Sequence, residues 1–245
     1  MVAPAAAEGR FERFERDLDR VAKELQIFRI SAAIEEDGKV VWGSRTGSVA
    51  PDSAEFHQTY SGERIVWTFG QNNGSSSLTL SVPQNKLTLI VEANSRAMAA
   101  YLEDGNVARS AIALAFLKDV AGVQVSQSDE MVDRAVTALY LGQRDQSATL
   151  IRETLNKYPE LESADDVSLL HLLAELRLPA TESVATVALM KHPDLPAAWL
   201  YYGRYLRAEK RFREATACFK QITEHQPPWN HWSVTEAKKE LSTLE

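Results

Sequence analysis

Between residues 64 and 94 the chain alternates apolar and polar positions with period two. Ile65, Trp67 and Phe69 alternate with Val66 and Thr68; Leu78, Leu80 and Val82 with Thr79 and Ser81; Leu87, Leu89 and Val91 with Thr88, Ile90 and Glu92. Successive side chains of a strand point to opposite faces, so each run predicts a strand with one buried face. A Gly/Asn/Ser-rich loop over 70–77 and a turn over 83–86 join the runs into an antiparallel meander. Upstream the period changes. Phe11, Phe14, Leu18, Val21, Leu25 and Phe28 recur at steps of three and four, which predicts an amphipathic helix over 8–28 laid on the sheet. Residues 30–35 and 39–43 add two strands joined by Asp37-Gly38, a strong hairpin signal. Residues 44–63 are turn-rich and predict no strand. The sheet is therefore expected to be antiparallel and five-stranded.

The second half has a different repeat. Pro159, Pro193 and Pro227 stand 34 residues apart. Counting back from the prolines, Ser147, Thr181 and Ala215 share a small-residue position, and Ile151, Ala185 and Phe219 the next apolar one. Paired helices approach closely only where the crossing residues are small, so this spacing predicts stacked helix pairs. Helices are expected over 129–141 and 146–157, with Pro179 shortening the loop of the second copy. Ser233 and Glu236 form a capping box opening a terminal helix over 233–244. The fold class is thus α+β: a sheet domain with flanking helices over 1–122, a linker over 122–128, and an all-α repeat array over 129–245.

Particular residues carry two family resemblances. VWTFGQ (66–71), VEANS (91–95), IEEDGKVVW (34–42) and the helix-like ARSAIALAFLKDV (108–120) resemble the sheet of the serine β-lactamase and penicillin-binding-protein superfamily, in its class C and esterase-like branch. Trp199, Tyr202, Gly203, Leu206, Phe212, Ala215, Phe219 and Pro227 resemble the tetratricopeptide pattern. The first resemblance implies catalysis by an S-x-x-K serine, a Y-x-N or S-x-N motif, and a strand reading K/H-T/S/Y-G. None of these is present. No serine has lysine three residues on, some twenty residues (44–63) stand where the family's helical subdomain would be, and Thr68 and Phe69 replace the strand motif, of which Gly70 persists. The resemblance therefore implies a relic, non-catalytic sheet domain. The alternative is a serine hydrolase whose nucleophile motif comes from another chain or was removed from the parent sequence. It also implies a periplasmic or secreted protein, with a cytoplasmic one as the alternative, since no charged and apolar leader segment is seen.

Composition narrows the function classes. A formal net charge of −7 and a pI near 5.4, with no basic stripe, argue against nucleic acid. No run of 18 apolar residues predicts a membrane span. The single cysteine, Cys218, reads as a small buried hydrophobe on a repeat helix. Ser75, Ser76 and Ser77 read as loop chemistry, and His225 and His231, flanking Pro227 and Trp229, lack the further ligands a metal would need. No cofactor or metal is expected. The remaining candidate site is the groove lined by the first helix of each pair: Val132, Val136, Leu139 and Tyr140, then Leu170 and Leu173, then Leu200, Arg204 and Arg207. That is an apolar trough ending in two arginines, suited to a peptide or protein partner or to homo-oligomerisation. The alternative is that it buries the sheet domain or the linker. Loss of the catalytic insert is further expected to leave an apolar sheet face that something must cover.

Overall fold

The computed structural model describes residues 5–43, 55–71, 74–95, 98, 102–164, 166–225 and 232–244. The chain divides into two compact units, 1–143 and 144–245. The division falls after Gln143, so the helix following the predicted linker groups with the sheet.

The first unit opens with α1 (Ala5–Glu24). Its apolar stripe is buried at Phe14, Leu18 and Val21, with Leu25 just beyond the helix end. The helix stops before the sequence pattern does. Gln26 takes a left-handed conformation (φ 55°), and the Ile27 N–H donates back to the Ala22 carbonyl at 2.8 Å, closing the last turn. Phe28, expected on the apolar face, is consequently 88% exposed.

Strands β1 (Ile30–Glu36) and β2 (Lys39–Gly43) form the expected hairpin, with both Asp37 and Gly38 at positive φ. The meander follows as β4 (Glu63–Gln71), β5 (Ser76–Val82) and β6 (Leu87–Ala93). One further strand precedes it, β3 (Glu55–Tyr60), paired antiparallel with β4. The sheet is therefore six-stranded, in the order β2-β1-β6-β5-β4-β3, and the expectation of five strands is corrected. The missed strand is an edge. Only Phe56 and Tyr60 of its six residues are apolar, with Gln58 the remaining inward position, so the pattern reads as turn. Residues 44–54, the rest of the presumed insert site, lie outside the described residues.

Register places Trp67, Leu80 and Leu89 on one face together with Ile34 and Val91. That face forms a continuous core with α1 and with α2 (Ala111–Asp119), where Phe14 meets Phe116 edge-on at 6.2 Å. The opposite face bears on a second expectation. It carries Thr68, Thr79, Ser81 and Thr88 beside Val66 and Ile90, and Ser81 and Thr88 share a hydroxyl hydrogen bond of 3.0 Å. A hydroxyl-rich face can be left to water over β4 and β5, while Ala33 of β1, cross-strand from Ile90, is buried and Val40 and Val41 of β2 are exposed.

Helix α3 (Gln127–Tyr140) is tied to this unit by a part-buried polar cluster. Tyr60 Oη donates to Asp129 Oδ2 at 2.7 Å, Ser126 Oγ donates to the same oxygen at 2.6 Å, and Arg109 Nη1 donates to Oδ1 at 3.2 Å. Burial, then Asp129, pushes the Tyr60 hydroxyl up to about 12. One turn along α3, burial raises the Asp133 carboxyl to about 7, opposed by Arg109 and Arg20 and reinforced by Glu24 and Asp129. A carboxyl raised in the folded state keeps its proton better there than in the unfolded chain. Its favourable contribution is full below the unfolded value of 3.8 and is lost as pH rises through about 7. Asp133→Asn is therefore expected to match the parent Tm near pH 4 and exceed it at pH 8. The gain is on the order of 4 kcal/mol at most, at ~1.4 kcal/mol per pH unit. A Tm offset that does not change between pH 4 and pH 8 would assign the effect to packing instead.

The second unit consists of α4 (Arg144–Lys157), α5 (Val167–Leu176), α6 (Thr181–Lys191), α7 (Pro196–Ala208), α8 (Phe212–Glu224) and α9 (Trp232–Ser242). Among the described residues the chain has nine α-helices and six strands. The small positions Ser147, Thr181 and Ala215 are all fully buried, as are Ile151, Ala185 and Phe219. Gly203 of α7 shows why small residues are needed at such crossings. A Cβ there would lie 2.5 Å from the Phe219 ring of α8. Pro227, Trp229 and His231 lie outside the described residues.

Candidate functional site

Two concavities stand out, one in each unit. In the first, the ends of β1, β4, β5 and β6 enclose about 640 Å³, bounded by Arg29, Ser31, Gly70, Gln71, Glu92 and the serines 75–77. Asn94 closes its edge: its Oδ1 accepts from the Arg29 N–H at 2.8 Å, and its own N–H donates to the Arg29 carbonyl at 3.1 Å. Of the three serines, Ser76 is buried and donates to the Ser95 carbonyl at 2.5 Å. Arg29 and Glu92 are the ionisable groups among the described lining residues, which include neither lysine nor histidine. A serine needs a nearby base to become a nucleophile, and the carboxylate of this lining is Glu92, directly cross-strand from Ser77.

The three residues of the degenerate strand motif do not act together. Strand alternation puts Thr68 and Gly70 on the hydroxyl-rich face, and Gly70 borders the pocket. Phe69 points the other way, against the core, 5.5 Å from the Phe56 ring. A Cβ on Gly70 would come within 2.9 Å of Ser77 Oγ, so the glycine keeps room for its cross-strand neighbour.

The predicted trough residues separate by chemistry. In the first unit, Val132 and Val136 are buried, and Val136 lies in a small cleft with Leu25, Met98, Arg109 and Ile112. Leu139 is half-buried and Tyr140 is 41% exposed. In the second unit, Leu170, Leu173 and Leu200 are each 0% exposed. These leucines belong to the packing among α5, α6 and α7 and offer no surface to a ligand. Arg204 and Arg207 are the exception, because both border a cavity of about 550 Å³.

That cavity also takes in Arg144, Arg177, Glu175 and Glu240. Arg204 Nε donates to Glu240 at 2.8 Å and its Nη2 to Glu236 at 2.7 Å, while Arg207 Nη1 pairs with the other oxygen of Glu240. Lys239 and then Arg204 hold the Glu236 carboxyl below its ordinary range. Arg144 donates to the Glu175 carbonyl and faces its carboxylate at 3.7 Å. Four guanidinium groups thus share a wall with two carboxylates. Pairing uses only part of the five N–H donors on each arginine, so donors remain for an anion.

Arg144 and Arg177 were absent from the residues the sequence suggested, although a signal existed. Arg144, Arg177 and Arg211 recur at close to the 34-residue period, each near the turn between paired helices. Arg177 itself ends α5 in the left-handed conformation, φ 57°. Among the described residues, no group of three His, Cys, Asp or Glu stands together as a metal site, and no helix is long and apolar enough to cross a membrane. No protein-family model, curated protein or solved structure matches this chain.

Proposed function

We propose that the chain is a non-catalytic interaction protein whose helical unit takes a protein or peptide partner at the arginine-lined cavity. The observation that carries this reading is the convergence of Arg144, Arg177, Arg204 and Arg207 on one concave wall of a chain whose net charge is −7. The absence of S-x-x-K from the sequence, and of lysine and histidine from the described residues at the sheet end, supports the non-catalytic half. A photo-crosslinking residue in place of Ala208, which borders the cavity, is expected to trap a discrete partner in a cell extract. The same group in place of the exposed Arg152 serves as the control and should trap none. Equal yields from the two positions would reject the cavity as the partner site.

A second reading keeps a serine hydrolase completed by another chain. It is favoured by the serines and Gly70 on the 640 Å³ sheet-end pocket. Incubation with a fluorophosphonate or a β-lactam, alone and in extract, separates the two readings by intact mass. No adduct is expected. A stoichiometric adduct on any serine would overturn the non-catalytic reading.

A further inference from the structure

We infer that the ligand chemistry of the helical unit's cavity is a cluster of carboxylates, presented by a short acidic peptide segment. This rests on the interaction reading above and specifies its ligand. Arg204 and Arg207 both converge on Glu240, which is 7% exposed, while Glu236 takes the second arm of Arg204. The two glutamates on α9 therefore hold the two guanidinium groups of α7 in place. A preorganised donor loses little freedom when a ligand arrives.

The opposite part of the lining is looser. Arg177 is exposed, and Arg144 reaches Glu175 with both residues about half exposed. These two can turn toward an incoming anion at little cost, because an exposed ion pair is worth little. A single carboxylate would use one guanidinium fork. Arginines contributed by α4, the end of α5 and α7 call for several carboxylates spread over a segment, and 550 Å³ lies within the range of a ligand site larger than a simple ion. The planar forks bind carboxylate oxygens two at a time, which gives orientation as well as attraction.

The test uses the full chain with fluorescein-labelled hexaglutamate as probe, read by anisotropy, and hexaglutamine as the uncharged control. Hexaglutamate is expected to bind saturably and to weaken as salt is raised, while hexaglutamine does not bind. Arg144→Gln with Arg177→Gln should weaken binding about tenfold or more, as expected when charge-assisted hydrogen bonds are removed, with Tm unchanged. These two arginines suit the test because neither partners a buried carboxylate. Competition by citrate at a similar affinity keeps the carboxylate assignment and makes the source a small molecule; a hundredfold preference for hexaglutamate makes it a peptide. Absence of hexaglutamate binding, or binding equal in the double variant, overturns the inference, as does a tenfold preference for a phosphopeptide of the same length. If hexaglutamate fails while the Ala208 crosslink still forms, the interaction reading stands and only its ligand class falls.

Discussion

Leu173→Glu is expected to unfold the helical unit outright. Leu173 lies on α5 with 0% exposure, among Leu169, Leu170 and Leu172, which are equally buried. Truncating such a leucine to alanine costs roughly 2–5 kcal/mol through lost transfer energy and the cavity left behind. A carboxylate in the same place adds the cost of desolvating a charge with no counter-ion built for it. Against a total stability of about 5–15 kcal/mol for a domain, the sum is enough to abolish the fold. Circular dichroism at 222 nm and urea titration check this: the variant should lose much of its helical signal in the absence of denaturant. Leu139→Gln, at a half-buried position of α3, is expected to be milder. A Leu173→Glu chain with the parent's midpoint would mean that α5 presents this residue to a groove after all.

That expectation reverses what the amino-acid pattern suggested for the trough, and the reason is physical. Periodicity identifies which residues share a helix face, but it does not say whether that face meets solvent or another helix. Leu170, Leu173 and Leu200 share the face assigned to them and spend it on α5–α6–α7 packing. The arginines were readable because charge is seldom buried without a partner, so Arg204 and Arg207 marked a surface wherever their helix lay. Their glutamate partners on α9 are more than thirty residues away, beyond what local spacing can reveal. The meander was legible because three consecutive strands alternate cleanly. Strand β3 was not, since an edge strand needs an apolar face on only part of its length. The end of α1 was misplaced for a related reason: Phe28 continues the spacing, but the backbone reverses at Gln26. The polar face of the sheet could have been read directly from Thr68, Thr79, Ser81 and Thr88, since these alternate with the core residues already identified.

The second large effect concerns Asp129, the acceptor at the centre of the polar cluster. Asp129→Ala is expected to destabilise the first unit by roughly 3 kcal/mol, the low end of the range for a buried ion pair, because the Asp129 side chain is itself 18% exposed. Three donors lose their acceptor at once: Tyr60 Oη, Ser126 Oγ and Arg109 Nη1. The Arg109 side chain is only 1% exposed, so its charge cannot turn to water. Ser126 also caps α3 by accepting from the Asp129 N–H at 3.0 Å, and the carboxylate sits in the first turn, where it complements the helix dipole. Adding Arg109→Met to Asp129→Ala should recover part of the loss by removing the buried cation that Asp129 faced. The recovery should depend on pH, because Arg109 also lowers the Asp133 carboxyl, which burial raises. Losing Arg109 raises that carboxyl more than losing Asp129, the smaller influence, lowers it, so its ionisation becomes more costly. Urea midpoints of the double variant should therefore be closer to the parent at pH 5 than at pH 8. Loss of less than about 1 kcal/mol in the single variant, typical of an exposed pair, would show that the cluster is solvated and that α3 is held by its apolar face alone.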